Sequence, residues 1–202
     1  MTTKFIFLTG GAKRIGKTTC KHFHDQGFNV IFHYNSSESE AYEIQNSLND
    51  IRENSCFILQ ADFNDKSSIE KLSEGVSKIT EELAVLINNA SSFYPTPLQD
   101  ASMDEWNDLM ATNATTPLFL TKVLLPFLRN GKGSVINISD TLAPSGIKNF
   151  RFADPIYHEN LFYLADKYIS KSVFFSKSDL FDNNNLLSCS EFLDPPGSLS
   201  LM

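Results

Sequence analysis

Short apolar runs alternate with longer stretches of mixed polar and apolar residues along the first 140 residues of the chain. The runs have the length of buried strands, and the stretches between them carry apolar residues at helical spacing. The predicted strands are residues 5–9, 28–33, 56–60, 83–87 and 134–138. The predicted helices are residues 15–26, 36–53, 65–82 and 104–129, the last of them interrupted or bent near Pro117. This alternation indicates a parallel sheet covered by helices on both faces. We therefore predict a doubly wound, Rossmann-like α/β fold, which collects ligands at the carboxyl ends of its strands.

The alternation weakens after Asp140. The remaining sequence predicts a helix over residues 157–175 and a last strand over residues 186–193, before Pro195 and Pro196. No shift in composition marks a second domain, so we expect one domain over residues 1–202.

Composition excludes several classes of function. The net charge of −7, without a basic run, argues against nucleic-acid binding. The three cysteines are odd in number and widely spaced, which favours a reducing compartment over a disulfide framework and gives no zinc pattern. The apolar run near the N-terminus is too short for a signal peptide or a membrane span. We expect a cytoplasmic protein that binds a small-molecule substrate, has no membrane partner and could be a homo-oligomer.

A glycine-rich loop, residues 9–18, follows the first strand and opens the first helix. In that setting backbone N–H groups and the helix dipole favour a phosphate. The spacing from Gly11 to Gly16-Lys17-Thr18 satisfies the P-loop pattern of nucleotide triphosphatases. Asp62 or Asp140 would then supply the second magnesium carboxylate. A P-loop NTPase is therefore one alternative.

The same loop matches a second pattern, Thr-Gly-x-x-x-x-Ile-Gly, and further motifs downstream agree with it. Ala61-Asp62 follows the third strand, Asn88-Asn89-Ala90 follows the fourth, and Asn113 lies in the long helix. Together and in this order, these features resemble the short-chain dehydrogenase/reductase family over residues 1–140. The resemblance implies a nicotinamide dinucleotide contacted by Gly10, Lys13, Arg14, Ile15, Gly16, His33, Tyr34, Asn35, Ser36, Asp62, Phe63, Asn89, Ala90 and Ser91.

Within that family, residues 88–98 are similar to the pteridine reductases in particular. Most relatives carry glycine where Ser91 stands. The resemblance implies that Phe93 stacks on a pterin ring and that Ser91 contacts both substrate and cofactor. A flat heteroaromatic ring is well suited to such stacking.

The end of the second strand bears on the choice of cofactor. An enzyme that uses NAD usually places a carboxylate about 20 residues beyond the loop, on the ribose 2′-hydroxyl. Here the strand ends in residues 33–37, His-Tyr-Asn-Ser-Ser, with no carboxylate before Glu38. Arg14 adds a cation, so a 2′-phosphate would meet a guanidinium, an imidazole and hydroxyls. These residues favour NADPH.

The catalytic groups are expected from the resemblance alone. Asp140 stands where the family usually has serine and pteridine reductases have aspartate. It would act with a tyrosine proton donor and a lysine that lowers the tyrosine pKa. Tyr163 and Lys167 have the required four-residue spacing, with Tyr168 and Lys171 as an alternative pair, and Asn113 would take part in proton relay.

Two features of the C-terminal third depart from this family. Tyr163 lies farther from Asp140 than the family pattern, and the usual final elements are missing before Met202. We therefore expect a fold that is truncated or altered at its C-terminus, in which cofactor binding survives better than turnover. The favoured function is an NADPH-dependent oxidoreductase that reduces a pterin or dihydrofolate by hydride transfer. The alternatives are another NADPH-dependent carbonyl reductase or a non-catalytic nucleotide-binding remnant.

Overall fold

A computed structural model of the chain describes residues 4–97, 99–139 and 172–176. Within these residues, strands and helices alternate as the sequence predicts. The strands are β1 Phe5–Leu8, β2 Asn29–Tyr34, β3 Cys56–Gln60, β4 Val85–Asn88, β5 Ser134–Ser139 and β6 Ser172–Ser176. The helices are α1 Arg14–Asp25, α2 Glu38–Ile51, α3 Ser68–Ser77, α4 Met103–Met110 and α5 Thr116–Asn130, with a π-helical segment, Ala111–Thr115, between the last two.

The strands form one parallel sheet in the order β3-β2-β1-β4-β5-β6. The chain therefore builds outward from β1 in one direction and then, from β4, in the other. At such a reversal the connections from neighbouring strands leave on opposite faces of the sheet, and a crevice forms at its carboxyl edge. The predicted doubly wound α/β fold is confirmed.

The hydrophobic core lies in two layers because successive residues of a buried strand face opposite sides of the sheet. In β1, Ile6 and Leu8 face the layer beneath α1 and α2, whereas Phe7 faces the layer beneath α3 and α5. All three side chains are fully buried. The apolar runs seen in the sequence are thus strands covered on both faces.

The long helix predicted over residues 104–129 is divided in the structure. The N–H of Thr116 donates to the carbonyl of Ala111, which is the wider hydrogen-bond spacing of a π-helix. Pro117 follows at once, and it has no N–H to donate to the carbonyl of Asn113. The expected interruption near Pro117 is therefore confirmed, and it takes the form of a π-helical turn.

One sequence prediction near the C-terminus is wrong. Residues 172–175 were expected to end a helix, but Ser172–Ser176 is strand β6, in parallel register with β5 from Val135 to Ser139. Its central Val173-Phe174-Phe175 is a β-branched and aromatic run, which favours a strand. The rest of that predicted helix and the strand predicted over residues 186–193 lie outside the described residues.

No helix within residues 4–97, 99–139 and 172–176 combines the length and the hydropathy needed to cross a membrane.

Candidate functional site

A cavity of about 300 Å³ opens at the carboxyl edge of the sheet, beside the loops that follow β1, β2, β3 and β4. Its walls come from the glycine loop, the end of β2, the turn after β3, the segment after β4, and the face where α4 meets the π-helical segment. The described lining residues are Gly10, Lys13, Arg14, Ile15, Gly16, His33, Asn35, Asp62, Phe63, Asn64, Asn89, Ala90, Ser91, Ser92, Asp108 and Thr112. The structure thus brings together the residues predicted to contact the cofactor, with Tyr34 and Ser36 as exceptions.

The glycine loop is too tight for side chains at its glycines. Gly10 has φ +69°, and a Cβ on Gly16 would lie 2.0 Å from the carbonyl oxygen of Gly10. The start of α1 against this loop has no side-chain cap and no acidic residue in its first turn. By contrast, α4 fills its own N-terminus with a capping box between Ser102 and Glu105. The backbone N–H groups at the N-terminus of α1 are therefore available to an anion.

The turn after β4 is hydrogen-bonded to the glycine loop. The side-chain amide of Asn89 donates to the carbonyl oxygens of Thr9 and Gly10, at 2.9 and 3.1 Å. In return, the Thr9 hydroxyl oxygen accepts the N–H groups of Asn89 and Ala90, each at 3.0 Å. These four bonds fix the two loops on either side of the crevice relative to each other.

His33 supports the loop from the side of β2. Its Nδ1 accepts the N–H of Gly10 at 3.3 Å, so Nε2 carries the proton and donates to the carbonyl of Ala61 at 3.0 Å. The ring also stacks on Phe63, with centroids 4.2 Å apart. Burial lowers the pKa of His33 to about 4, so the ring is neutral near pH 7. The expectation that this imidazole would meet a 2′-phosphate is wrong, because both its nitrogens are engaged inside the protein.

Tyr34 and Ser36 are the two predicted cofactor residues that do not line the cavity. Tyr34 follows His33 in the strand, so its side chain faces the opposite side of the sheet and is buried in the layer beneath α1 and α2. Ser36 is exposed and does not line the cavity. At the end of β2 only Asn35 joins His33 in the lining.

Two cations of the glycine loop line the cavity. Arg14 begins α1 with φ +50°, a left-handed conformation that costs a residue with a Cβ about 1–2 kcal/mol. Among the described residues, no carboxylate lies within ion-pair distance of its guanidinium. The neighbouring Lys13 forms an ion pair with Glu40 of α2, with Nζ and Oε1 2.8 Å apart.

Lys17 does not occupy the position that a P-loop requires. It does not line the cavity, and its Nζ pairs with Glu43 on α2 at 3.6 Å. The neighbouring Thr18 donates its hydroxyl to the carbonyl of Arg14. These placements argue against the P-loop alternative.

A second polar cluster lines the cavity opposite the glycine loop. The carboxylate of Asp108 on α4 accepts the side-chain amide of Asn64 at 2.8 Å and the hydroxyl of Tyr94 at 3.0 Å. Burial, followed by the bond to Asp108, raises the pKa of Tyr94 to about 12. Asp62 accepts the N–H of Asn64 and so joins the turn after β3 to this cluster.

Four further residues line the cavity although no motif in the sequence predicts them there: Asn64, Ser92, Asp108 and Thr112. One signal was present, since Asp108 and Thr112 are four residues apart and therefore share a helix face just before Asn113.

The segment after β4 is held by Asn113 of the π-helical turn. Asn113 is buried, and its side-chain amide accepts the N–H of Ser92 at 3.1 Å and donates to the Ser92 carbonyl at 2.8 Å. Ser91 and Ser92 line the cavity, and Phe93 follows them with 45 % of its side chain exposed. Asn113 thus lies beside the site, where its amide positions the segment that carries Ser91 and Phe93.

The other predicted catalytic residues come after β5 in the sequence. Asp140, Tyr163 and Lys167, and the alternative pair Tyr168 and Lys171, lie outside the described residues. Their roles stay predictions from the sequence. Within the described ranges, no three His, Cys, Asp or Glu side chains come together as metal ligands.

The fold and the loop define a Rossmann-type nucleotide-binding domain, and comparison with known proteins identifies its family. A family model described as short chain dehydrogenase matches residues 4–151, so the chain belongs to that family. Members of this family bind a nicotinamide cofactor, NAD(H) or NADP(H).

Three relatives of the chain have sequence identities between 24 % and 27 %. Pteridine reductase 1 of Leishmania tarentolae is 27 % identical over 70 % of this chain and 62 % of its own length. An uncharacterized oxidoreductase of Bacillus subtilis (strain 168) is 26 % identical over 71 % of this chain and 58 % of its own length. Another, from Staphylococcus aureus (strain MRSA252), is 24 % identical over 69 % and 59 %. The matched part of the chain thus spans about three-fifths of the length of these relatives.

The bonds from Asn113 to Ser92 give a first prediction. Asn113→Ala should lower the free energy of unfolding by about 1–3 kcal/mol, because it leaves the partly buried N–H and carbonyl of Ser92 without their partner. It should also speed hydrogen exchange at the Ser92 amide. Asn130→Ala is the matched control, since Asn130 makes one exposed bond to the carbonyl of Glu81 and should cost less than about 0.5 kcal/mol. Equal losses in the two variants would contradict the positioning role of Asn113.

The buried neutral ring of His33 gives a second prediction. Its folded pKa of about 4 lies below the ordinary value of 6.5, so the unfolded chain binds the proton more readily between these pH values. Stability should therefore fall as pH falls through this window, by roughly 3 kcal/mol from this group. Urea unfolding at several pH values should give a shallower dependence for His33→Gln than for wild type. Identical dependences would show that His33 is not held neutral in the fold.

Proposed function

We propose that this chain is an NADPH-dependent oxidoreductase of the short-chain type that reduces a pterin or dihydrofolate. The observation that carries the cofactor assignment is Arg14. It lines the cavity beside the end of β2, in a strained conformation that glycine would adopt at little cost. A cation retained there at the expense of strain is well explained by a phosphate that it binds.

The described residues fit a nicotinamide dinucleotide. The absence of a Cβ at Gly16 lets α1 begin directly against the backbone of Gly10. Since the N-terminus of α1 has no side-chain cap, its backbone N–H groups would be available to a pyrophosphate. Asp62 lines the cavity after β3 and would bind the adenine. Asn89 and Ala90 line it after β4 and would lie against the ribose next to the nicotinamide.

The charges near the end of β2 support the phosphorylated form of the cofactor. Asn35 is the exposed lining residue there, at the place where an enzyme specific for NAD usually has a carboxylate. Arg14 would pair with the 2′-phosphate through its planar, charged donors. His33 would act indirectly, because its ring accepts the N–H of Gly10 and so fixes the loop that carries Arg14.

The proposed substrate rests on the segment after β4. Ser91 and Ser92 line the cavity, and the exposed ring of Phe93 follows them on a backbone that Asn113 holds in place. The sequence similarity to a pteridine reductase supports a flat heteroaromatic substrate.

When bound, the cofactor would supply a hydride to a C=N bond of the substrate. The chain itself would supply the proton, and we propose Tyr163 as the donor, with Lys167 lowering its pKa and Asp140 hydrogen-bonded in the same site. These three assignments rest on the sequence resemblance. In the described part of the site, Ser91 and Phe93 would orient the substrate.

Substitution of Arg14 tests the cofactor assignment. Arg14→Ala should weaken NADPH binding by about 1–3 kcal/mol and leave NADH binding nearly unchanged, as measured by fluorescence titration. Alanine has the same Cβ in the same left-handed conformation, so the change removes the guanidinium and its stem without altering the backbone strain. Arg129→Ala, in the last turn of α5, is the matched control and should leave both affinities unchanged. Equal dissociation constants of the wild-type protein for NADPH and NADH would refute the assignment.

Substitution of Phe93 tests the substrate assignment. Phe93→Ala should raise the KM for biopterin or dihydrofolate about tenfold, because it removes a stacking surface, and should leave the dissociation constant of NADPH unchanged. Phe119→Ala is the control, since Phe119 is similarly exposed, at 43 %, but lies on α5 outside the cavity lining. Turnover of other carbonyl substrates without dependence on Phe93 would favour a general carbonyl reductase. Cofactor binding without any turnover would favour a nucleotide-binding remnant.

A further inference from the structure

An acidic residue of α2 reaches the cation pair of the glycine loop. Glu40 lies in the first turn of α2, and its carboxylate is 2.8 Å from the Nζ of Lys13, a residue that lines the cavity. The hydroxyl of Ser39 donates to the other oxygen of the same carboxylate at 3.0 Å. No sequence pattern predicts this contact, because Glu40 lies several residues beyond the end of β2. The packing of α2 against α1 brings its carboxylate to the loop.

The ion pair has a direct consequence for a phosphate at the end of β2. Lys13 and Arg14 are adjacent, and both would attract a 2′-phosphate, but in the part of the chain that the structure describes only Lys13 is paired with a carboxylate. A phosphate that recruits Lys13 must share it with Glu40 or break the pair. The carboxylate also repels the phosphate, since both are negatively charged near pH 7. The carboxylate of Glu40 therefore opposes the effect of Arg14.

We propose that Glu40 is a specificity-determining residue, whose carboxylate competes with the 2′-phosphate of NADPH for Lys13 and so limits the preference for NADPH over NADH. This inference rests on the proposed function. A ribose 2′-hydroxyl carries no charge and needs no cation, so NADH binding would not depend on the competition. The chain would thus discriminate between the two cofactors by a balance of Arg14 against the Lys13–Glu40 pair.

The neighbouring pair of the same two helices provides a control. Lys17 and Glu43 also join α1 to α2, with Nζ and Oε1 3.6 Å apart, but neither lines the cavity. Both pairs are exposed to solvent, so a general effect of removing one negative charge from α2 would appear equally in Glu40→Gln and Glu43→Gln. A competition for Lys13 would appear only in Glu40→Gln.

The experiment measures the dissociation constants of NADPH and NADH for wild type and four variants, Glu40→Gln, Glu43→Gln, Lys13→Met and the double variant Lys13→Met/Glu40→Gln. Glu40→Gln should tighten NADPH binding by about threefold to tenfold and change NADH binding by less than about twofold. Glu43→Gln should change neither. Lys13→Met should weaken NADPH binding, and in its background Glu40→Gln should gain less than it does in wild type. The gain should also shrink at high salt, because the groups are exposed.

Several results would overturn the inference. Unchanged NADPH affinity in Glu40→Gln, equal tightening of both cofactors, equal gains in Glu40→Gln and Glu43→Gln, or the same gain with and without Lys13 would each exclude competition for Lys13. In all of these cases the wild-type protein still binds NADPH, so the proposed function stands. If neither cofactor binds the wild-type protein, the proposed function fails and this inference fails with it. Circular dichroism of each variant confirms that the fold is retained.

Discussion

The backbone of Gly10 is hydrogen-bonded on both sides, and the rest of the site depends on that arrangement. Its N–H donates to the ring of His33 on β2, and its carbonyl accepts the amide of Asn89 beyond β4. A Cβ on Gly16 would lie only 2.0 Å from the oxygen of the same carbonyl. One residue therefore joins three segments that are far apart in sequence, and each contact restricts the identity of its partner. Each bond contributes only about 1 kcal/mol to stability, but together they determine where the phosphate-binding N–H groups point.

This arrangement explains why the two cations of the glycine loop lie on long side chains around the hydrogen-bonded backbone of Gly10. The groups that hold Gly10 are neutral: a histidine whose pKa is lowered by burial and an asparagine amide. Burying a charged group at the centre would carry a large desolvation cost. The cations Lys13 and Arg14 instead follow the loop at the surface, where solvent screens them. The affinity for an anion can then be adjusted at the rim without changing the loop itself.

The sequence predicted those parts of the molecule that local patterns encode. The strands β1 to β5 coincide with short, largely apolar runs, and the glycine loop and Asn89 turn are short motifs at the ends of such runs, so their positions followed directly. The contacts of His33 could not be predicted in this way, because the same sequence motif is compatible with a ring that faces a ligand and with one that bonds to the backbone of Gly10. The burial of Tyr34 away from the cavity did not follow either, since a motif does not specify which side of the sheet each of its residues faces. The contact between Lys13 and Glu40 depends on helix packing, which no local pattern encodes.

The half of the cavity opposite the glycine loop is organised by the interruption between α4 and α5. A regular helix through residues 111–115 would set Asn113 at a different angle from Thr112 and Asp108, because a π-helical turn adds a residue to the repeat. With the turn present, Asn113 faces inward to hold both backbone groups of Ser92, while Asp108 holds Tyr94 on the other side of Phe93. The exposed ring of Phe93 is therefore flanked by two fixed residues rather than carried on a free loop. Positioning of this kind would lower the entropy lost on binding of the flat substrate that we propose for this ring. Pro117 has no N–H to donate to the carbonyl of Asn113, as a continuous helix would require, and it thus contributes to the geometry of the site several residues before it.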